Sequence, residues 1–329
     1  MKALVTGSTG FIGQHLVKQL LAEKWEVRCL ARSTSFKPLE FLDDVEWMIG
    51  ELSDFHALET ACKNIDVIFH LAGATKAKNS KSFFEINYLG TENLLEAMTQ
   101  TGKKTAQFIL ISSQAAGGPA NDPDHPKTED DPCYPVSAYG QSKLAAEIAV
   151  LKRKHHLRSA IVRPAIVYGP GDQETRLFFK LAKAHINPKI GREKHFISLI
   201  YIDDLVRLLI DIANAKPASG EIFIATDNEN GHLFQDVIRT AKTALRTWTL
   251  PVFIPLWCLK IAAGIADLWR RLSGRTMMFT PDKYREIARP FWICSAAKAK
   301  EKLNFEPKHD LASGFEITAR WYLDNGWLK

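Results

Sequence analysis

The sequence predicts an α/β fold, a doubly wound parallel sheet with a smaller, interleaved C-terminal lobe. Three observations point there. Short apolar runs alternate with helical patterns through the first half of the chain, the order that builds a parallel sheet with helices on both faces. A glycine-rich turn stands between the first apolar run and the first helix, and beyond about Gly169 the Pro, Gly and aromatic residues become irregularly spaced. With 329 residues the chain can bury a core of the size such a sheet requires.

Strands are expected at Lys2 to Thr6, Glu26 to Ala31, Val45 to Ile49, Val67 to Leu71, Gln107 to Ser112 and Ser159 to Val162, with helices between them such as Gly13 to Lys24 and Tyr88 to Thr101. One further strand-like run lies at Glu221 to Ala225. The sheet domain is accordingly assigned residues 1–168 and 199–226, and the lobe residues 169–198 and 227–329. Gln114 to Pro135, rich in Pro, Asp and Gly, reads as a long loop leaving a central strand, and loops of that length inside a domain are often functional.

Composition excludes some classes. The net charge of +6 comes from 43 basic and 37 acidic side chains scattered along the chain, so no basic arm marks a nucleic-acid binder. A phosphate-bearing cofactor or an anionic membrane surface is compatible with the bias. The five cysteines are odd in number and form no C-x-x-C pair, which argues against a disulfide framework or a metal site and for a reducing cytoplasm. A glycine motif that begins at Gly7 leaves no room for a leader before the first strand.

That motif, TGSTGFIG from Thr6 to Gly13, follows a strand and opens a helix. Gly7, Gly10 and Gly13 allow a tight turn, close backbone approach to a pyrophosphate and close helix packing, while the helix N-terminus offers free N–H groups to the anion. A dinucleotide is therefore the expected cofactor, held by Gly7, Thr9, Gly10, Phe11, Ile12 and Gly13 on a Rossmann-type sheet. The second strand ends at Arg32, where an NAD-preferring domain usually presents an acid to the ribose 2′-hydroxyl. Arginine pairs instead with a 2′-phosphate, and a charge-assisted contact of roughly 1.5 to 3 kcal/mol favours NADP by about tenfold to a hundredfold. The alternative is a solvated loop side chain. Ser33 and Ser35 stand near enough in sequence to add hydrogen bonds.

A second motif, YGQSK, sets Tyr139 and Lys143 four residues apart, on one face of a helix for which Ser137 is a candidate N-cap. A phenol of pKa about 10 is a poor base near neutrality, and a neighbouring ammonium stabilises its phenolate. Tyr139 is thus the candidate proton carrier to a substrate oxygen whose carbon exchanges a hydride with the nicotinamide, and Lys143 the group that tunes it and holds the ribose.

The G-x-x-G-x-x-G spacing, DVIFHLAG (Asp66 to Gly73), NYLGTENLL (Asn87 to Leu95), YGQSK, RPAIVYGPGD (Arg163 to Asp172), YIDDL (Tyr201 to Leu205) and the terminal WYLDNGWL together resemble the extended short-chain dehydrogenase/reductase family, the epimerase/dehydratase-like branch, over nearly the whole chain. The resemblance implies that Ser113, after the strand FILISS, hydrogen-bonds the substrate oxygen, with the adjacent Ser112 as the other candidate. It also implies cofactor contacts from Glu51, Leu52, Leu71, Ala72, Gly73, Asn87, Pro164, Ile166 and Val167. For Asn87 a helix-capping role is the alternative, and Arg163 and Asp203 read as structural. Members of this family commonly form homodimers through two helices, one of them the YGQSK helix, so a homodimer is expected.

Two departures bear on the substrate. Sugar dehydratases of the family carry Thr-Asp-Glu where this chain has Ser113-Gln114-Ala115, so the acid and base for dehydration are missing. Before YIDDL the chain reads HFISLIYIDD, without the arginine that nucleotide-sugar enzymes tend to place there. Pro251 to Leu272 is apolar almost all round a helix expected from about Pro255, followed by Arg270, Arg271 and Arg275, and Lys260, Asp267 and two prolines make it a poor membrane span. It reads as an interfacial helix, a greasy lid or a buried helix of the lobe's own core. The pattern is closest to hydroxysteroid dehydrogenase and flavanol-reductase-like members, and predicts hydride transfer between NADP(H), or NAD, and a secondary alcohol or ketone of a bulky apolar molecule: steroid-like, isoprenoid, flavonoid-like or long acyl. Nucleotide-sugar 4-epimerisation and a non-catalytic dinucleotide sensor or assembly factor are the alternatives.

Overall fold

The computed structural model describes residues 1–35, 41, 43–101, 103, 106–273 and 279–328. Its centre is a seven-stranded sheet. Six strands follow one another as β1 (Lys2–Thr6), β2 (Glu26–Ala31), β3 (Glu46–Ile49), β4 (Val67–His70), β5 (Gln107–Ile111) and β6 (Arg158–Pro164), and the seventh is Glu221–Ala225. Across the sheet they lie in the order seventh, β6, β5, β4, β1, β2, β3. The chain therefore runs outward from β1 through β2 and β3, then returns to the other side of β1 with β4. That reversal opens a crevice at the carboxyl ends of β1 and β4, the customary ligand position in such sheets.

All pairings from β1 to β6 are parallel, and one row of partners crosses them: Leu30, Thr6, His70, Leu110 and Ile161. Leu4, Ile68, Phe108 and Ile161 turn to one face, where they meet Leu58, Leu94, Met98, Ala146 and Val150 of the covering helices. With both faces covered, Ala3, Leu4 and Val5 are all buried, which is why these strands read as continuous apolar runs instead of alternating ones.

Packing divides the chain into two units. One comprises Met1–Ala116, Ala138–Arg163 and Val206–Phe223, the other Gly117–Ser137, Pro164–Leu205 and Ile224–Lys329. Residues 117–137, 164–168, 199–205 and 224–226, drawn with the sheet domain from sequence, pack with the second unit. That unit is built on an aromatic cluster in which the Phe179 ring lies 4.9 Å from Phe315 and 5.2 Å from Tyr322.

Several boundaries differ from expectation for identifiable reasons. Helix α1 runs Phe11–Ala22, starting two residues earlier than Gly13 and ending before Lys24, whose φ of 61° turns the chain out of the helix. The helix expected at Tyr88 starts instead at Ser80, because the Asn79 side chain accepts the Ser82 N–H and caps it; one π-turn, Phe84–Leu89, precedes the final stretch Gly90–Thr101. Pro251 to Leu272 is two elements: a strand, Leu250–Ile254, paired parallel with Ile186–Ile190, and a helix, Leu256–Ser273. This helix is no buried core element, since Trp257, Ile261, Ile265, Leu268, Trp269 and Leu272 are all exposed. Arg275 lies outside the described residues, as does the side chain of Arg271.

Candidate active site

Strand β1 delivers the chain into a turn that only glycine can make. Gly7 has φ +73°, and a Cβ there would sit 2.7 Å from the Ala72 backbone nitrogen. A Cβ on Gly13 would lie 2.1 Å from the Gly7 carbonyl oxygen. The Gly10 N–H donates to that same oxygen at 3.0 Å, and α1 begins at the next residue. Gly10, at the N-cap, brings no side-chain oxygen to the first turn, so the helix start around Phe11, Ile12 and Gly13 is left to bind an anion. Beside it the Gln14 side-chain amide donates to the Thr9 carbonyl at 2.8 Å, which holds the preceding loop. The close approach of Gly7 to Leu71 and Ala72 is a cradle that fits a pyrophosphate and would be filled by any larger side chain.

At the end of β2, Arg32 is exposed, and its carbonyl accepts the Ser35 N–H at 3.0 Å to close a turn. Glu51 is exposed after β3, and Leu52 packs on the helix that follows β4: a Cβ on Gly90 would fall 2.7 Å from Leu52 Cδ1, and Asn93 donates to the Leu52 carbonyl at 2.9 Å.

The Tyr139 to Lys143 pair stands in the helix Ala138–Lys152, immediately after the buried Ser137. Lys143 is 7% exposed and donates to the Ile111 carbonyl, at the end of β5, at 2.6 Å. Burial pushes its ammonium down to about 8, with the nearby Glu147 carboxylate opposing the shift. Tyr139 is half-buried, its ring 6.0 Å from that of Phe83. Gly73 faces the lysine, since a Cβ placed on it would be 3.9 Å from Lys143 Nζ and 2.9 Å from Asn87 Oδ1. The sheet thus brings Gly73, Asn87 and Lys143 to one place at the carboxyl end of β4.

The two serines differ in their surroundings. Ser112 is buried and donates to the Glu147 carboxylate, which is itself held by Arg163. Ser113 is half-buried, and among the described residues its hydroxyl accepts the local Ala115 N–H at 3.1 Å. Asn87 is not a helix cap: it lies inside the π-turn, accepts the Ala74 N–H at 2.7 Å, and donates to the Ala74 carbonyl and to Ser142 Oγ. Ser142 Oγ donates in turn to the Tyr139 carbonyl at 2.7 Å, tying the loop after β4 to the Tyr139 helix.

One buried group is invisible to motif reading. His70 lies between Thr6 Oγ1 at 2.7 Å and Thr91 Oγ1 at 3.0 Å. Thr91 gives its proton to the Asn87 carbonyl, so it accepts from His70 Nε2, and His70 Nδ1 accepts from Thr6, which receives the Ala72 N–H. Burial, with the Lys143 charge adding, pushes the imidazole pKa down to about 3, and this neutral form is the one in which Nδ1 accepts from Thr6. The signal in sequence is three polar residues at positions facing one another across strands and helix, a pattern without a fixed spacing.

Pro164, Ile166 and Val167 fall in the second unit, where Ile166–Tyr168 pairs in parallel with Leu199–Tyr201. There Asp203 is exposed, and its neighbour Asp204 is the buried acid, accepting the Lys308 and His309 N–H groups at 2.9 and 3.0 Å. Among the described residues no group of His, Cys, Asp and Glu is placed to hold a metal ion.

Comparison with known proteins places the chain in a family. The profile of the NAD dependent epimerase/dehydratase family matches residues 3–225. A ceramide reductase of Caulobacter vibrioides is 30% identical, over 98% of this chain and 95% of its own length. A UDP-glucose 4-epimerase of Vibrio cholerae is also 30% identical, over 97% and 95%. The human sterol-4-alpha-carboxylate 3-dehydrogenase (decarboxylating) is 27% identical, over 97% and 87%. In fold, a dTDP-glucose 4,6-dehydratase of Streptomyces venezuelae solved with NAD bound matches with a TM-score of 0.79 at 22% identity, covering 100% of this chain and 99% of that one.

Proposed function

The chain belongs to the NAD dependent epimerase/dehydratase family and is an enzyme of the extended short-chain dehydrogenase type, and on that premise we propose that it interconverts a secondary alcohol and a ketone on a bulky apolar molecule, with NADP(H) preferred over NAD(H). The observation that carries the reaction is the buried Lys143 beside Gly73, one helical turn from Tyr139.

When bound, the nicotinamide cofactor supplies or accepts the hydride. Lys143, largely cut off from solvent and held by the Ile111 carbonyl, presents a positive charge on the Tyr139 side of its helix. That charge lowers the cost of forming the Tyr139 phenolate, and Tyr139 moves the proton to or from the substrate oxygen. Ser113 Oγ donates to the same oxygen. Gly7, Gly10 and Gly13 hold the pyrophosphate against the start of α1, and Leu71, Ala72 and Gly73 flank it, with Glu51 and Leu52 toward the adenine. Arg32, exposed at the end of β2, pairs with the 2′-phosphate. Pro164, Ile166 and Val167 complete the cofactor contacts, and the second unit serves as the substrate lobe.

The apolar substrate is supported by the HFISLIYIDD segment and by relatives named for a ceramide and a sterol. Peripheral contact with a membrane through 251–275 and a cytoplasmic location belong to the same reading. So does a homodimer, since Ile86, Leu89 and Ile148 turn outward from the helical stretches Phe84–Leu89 and Ala138–Lys152. The Vibrio cholerae relative favours a second reading, 4-epimerisation of a nucleotide sugar.

Titration of tryptophan fluorescence with NADPH and NADH, for wild type and Arg32→Ala, tests the cofactor assignment: NADPH should bind tighter and lose about tenfold or more in the variant, and a preference for NADH would reject it. A panel of long-chain acyl and steroid ketones against nucleotide sugars tests the substrate. Turnover of sugars alone would transfer the assignment to epimerisation, and activity that survives Tyr139→Phe would remove the tyrosine from the reaction.

A further inference from the structure

The helix Leu256–Ser273 is amphipathic the wrong way round for a helix that faces only water. Trp257, Ile261, Ile265, Leu268 and Leu272 recur at intervals of four, four, three and four, which is one face of a helix, and Trp269 adjoins it. Each of these six is more than half exposed, Leu272 reaching 75%. The opposite side carries Ala263, buried, and the Asp267–Arg270 ion pair, whose side chains are only partly exposed. Trp248, Leu250 and Val252, at and just before the adjoining strand Leu250–Ile254, extend the apolar surface. A contiguous patch of this kind marks a surface that something covers.

Charge decides what covers it. From Thr247 to Ser273 the chain carries Lys260, Arg270 and Arg271 against a single acid, Asp267, which is engaged by Arg270. Lys260 is exposed at the edge of the stripe. A second copy of this chain docked stripe to stripe would offer Lys260 no acid from the facing stripe, whereas an anionic bilayer supplies both an apolar layer and the opposite charge. Trp257 and Trp269 sit twelve residues apart, about 18 Å along the helix, where two indoles can mark the level of the headgroups at each end. The helix is too polar to cross a membrane, and no described helix is long and apolar enough to do so.

We infer that the helix Leu256–Ser273 lies in the plane of an anionic lipid surface, with Trp257, Ile261, Ile265, Leu268, Trp269 and Leu272 among the acyl chains and Lys260 reaching to the headgroups. This deepens the membrane contact of the proposed function, on which it rests, by naming the face and the lipid charge. An enzyme so placed would take an apolar alcohol or ketone from the layer in which that molecule dissolves.

Flotation of the full chain with vesicles of phosphatidylcholine, with and without phosphatidylglycerol, tests it without cofactor or substrate. The protein should float with the anionic vesicles and less with neutral ones. Added salt should weaken the binding, and the variant Ile261→Ser/Ile265→Ser/Leu268→Ser should lose about tenfold or more. Circular dichroism would establish that the variant is folded, as expected for exposed positions. Wild type that floats with neither vesicle, a folded variant that floats equally well, or a solution dimer that this variant splits into monomers would each overturn the inference. Turnover of a water-soluble ketone by the same variant, expected unchanged, keeps a failure of the chemistry distinct from a failure of docking.

Discussion

Glu147 and Arg163 form an ion pair with almost no access to solvent: Nη2 lies 2.6 Å from Oε2, and the side chains are 0% and 3% exposed. Ser112 donates to the same carboxylate, so β5, β6 and the helix Ala138–Lys152 converge on one buried charge. Removing one partner of such a pair strands the other in a poorly polarisable interior. Glu147→Gln or Arg163→Met should each cost about 3–5 kcal/mol, while Glu147→Leu/Arg163→Met together should cost clearly less than the sum of the two, as read from urea unfolding midpoints.

His70 gives stability a particular pH dependence. Its folded pKa, about 3, lies below the ordinary 6.5, so between those values the unfolded chain binds the extra proton. Stability from this group is complete above pH 6.5 and is lost as pH falls, by up to about 1.4 kcal/mol per pH unit. His70→Asn should be less stable at pH 7, because Thr6 and Thr91 lose their shared partner. Its unfolding free energy should nevertheless fall less steeply than wild type between pH 6.5 and 4, and parallel slopes for the two proteins would contradict the neutral imidazole.

Lys143 costs the fold what it gives the chemistry. Keeping an ammonium with a folded pKa of about 8 in place of 10.5 amounts to a penalty on the order of 3 kcal/mol at neutral pH. Between pH 8 and 10.5 the unfolded chain holds the extra proton, so wild-type stability from this group rises with pH there. Lys143→Met removes the penalty and forfeits one hydrogen bond to Ile111, so it should be more stable by about 1–2 kcal/mol, lack the rise above pH 8, and have no measurable turnover. Calorimetry at pH 7 and pH 10 beside an activity assay would check all three.

The sheet is legible in sequence because it depends on local pattern, and so is the placing of the glycine turn and of the Tyr139–Lys143 pair on which the candidate site rests. Strands buried on both faces write themselves as apolar runs, the glycines of the first turn are fixed by backbone approach, and Tyr139 and Lys143 are fixed by helical spacing. What escapes depends on contacts distant in the chain. The neutral relay through Thr6, His70 and Thr91 joins residues 21 and 64 positions apart, and Asp204 is distinguished from Asp203 only by Lys308 and His309 packed over it. Short strands of two or three residues in the second unit, such as Phe196–Ile197 and Phe291–Trp292, fall below the length at which alternation can be read. The strand Leu250–Ile254 was masked by its continuity with the apolar helix that follows.

Gly13 and Gly10 of the first turn should respond unequally to the same substitution. At Gly13 an added methyl meets the Gly7 carbonyl at 2.1 Å and the Ser8 Cα at 2.7 Å, both backbone atoms that can yield only if α1 moves off the sheet. At Gly10 the added methyl meets, among the described residues, the same oxygen at 3.3 Å, a contact relieved by a few tenths of an ångström. Gly13→Ala should therefore destabilise the fold by about 2 kcal/mol or more and abolish dinucleotide binding. Gly10→Ala should keep wild-type stability within about 1 kcal/mol yet weaken nucleotide binding, because the added methyl stands where a pyrophosphate must approach the exposed helix start. Thermal unfolding of both variants with and without NADPH separates the two effects: a Gly10→Ala protein whose midpoint rises with NADPH as much as wild type's would show that the cofactor does not lie against that turn.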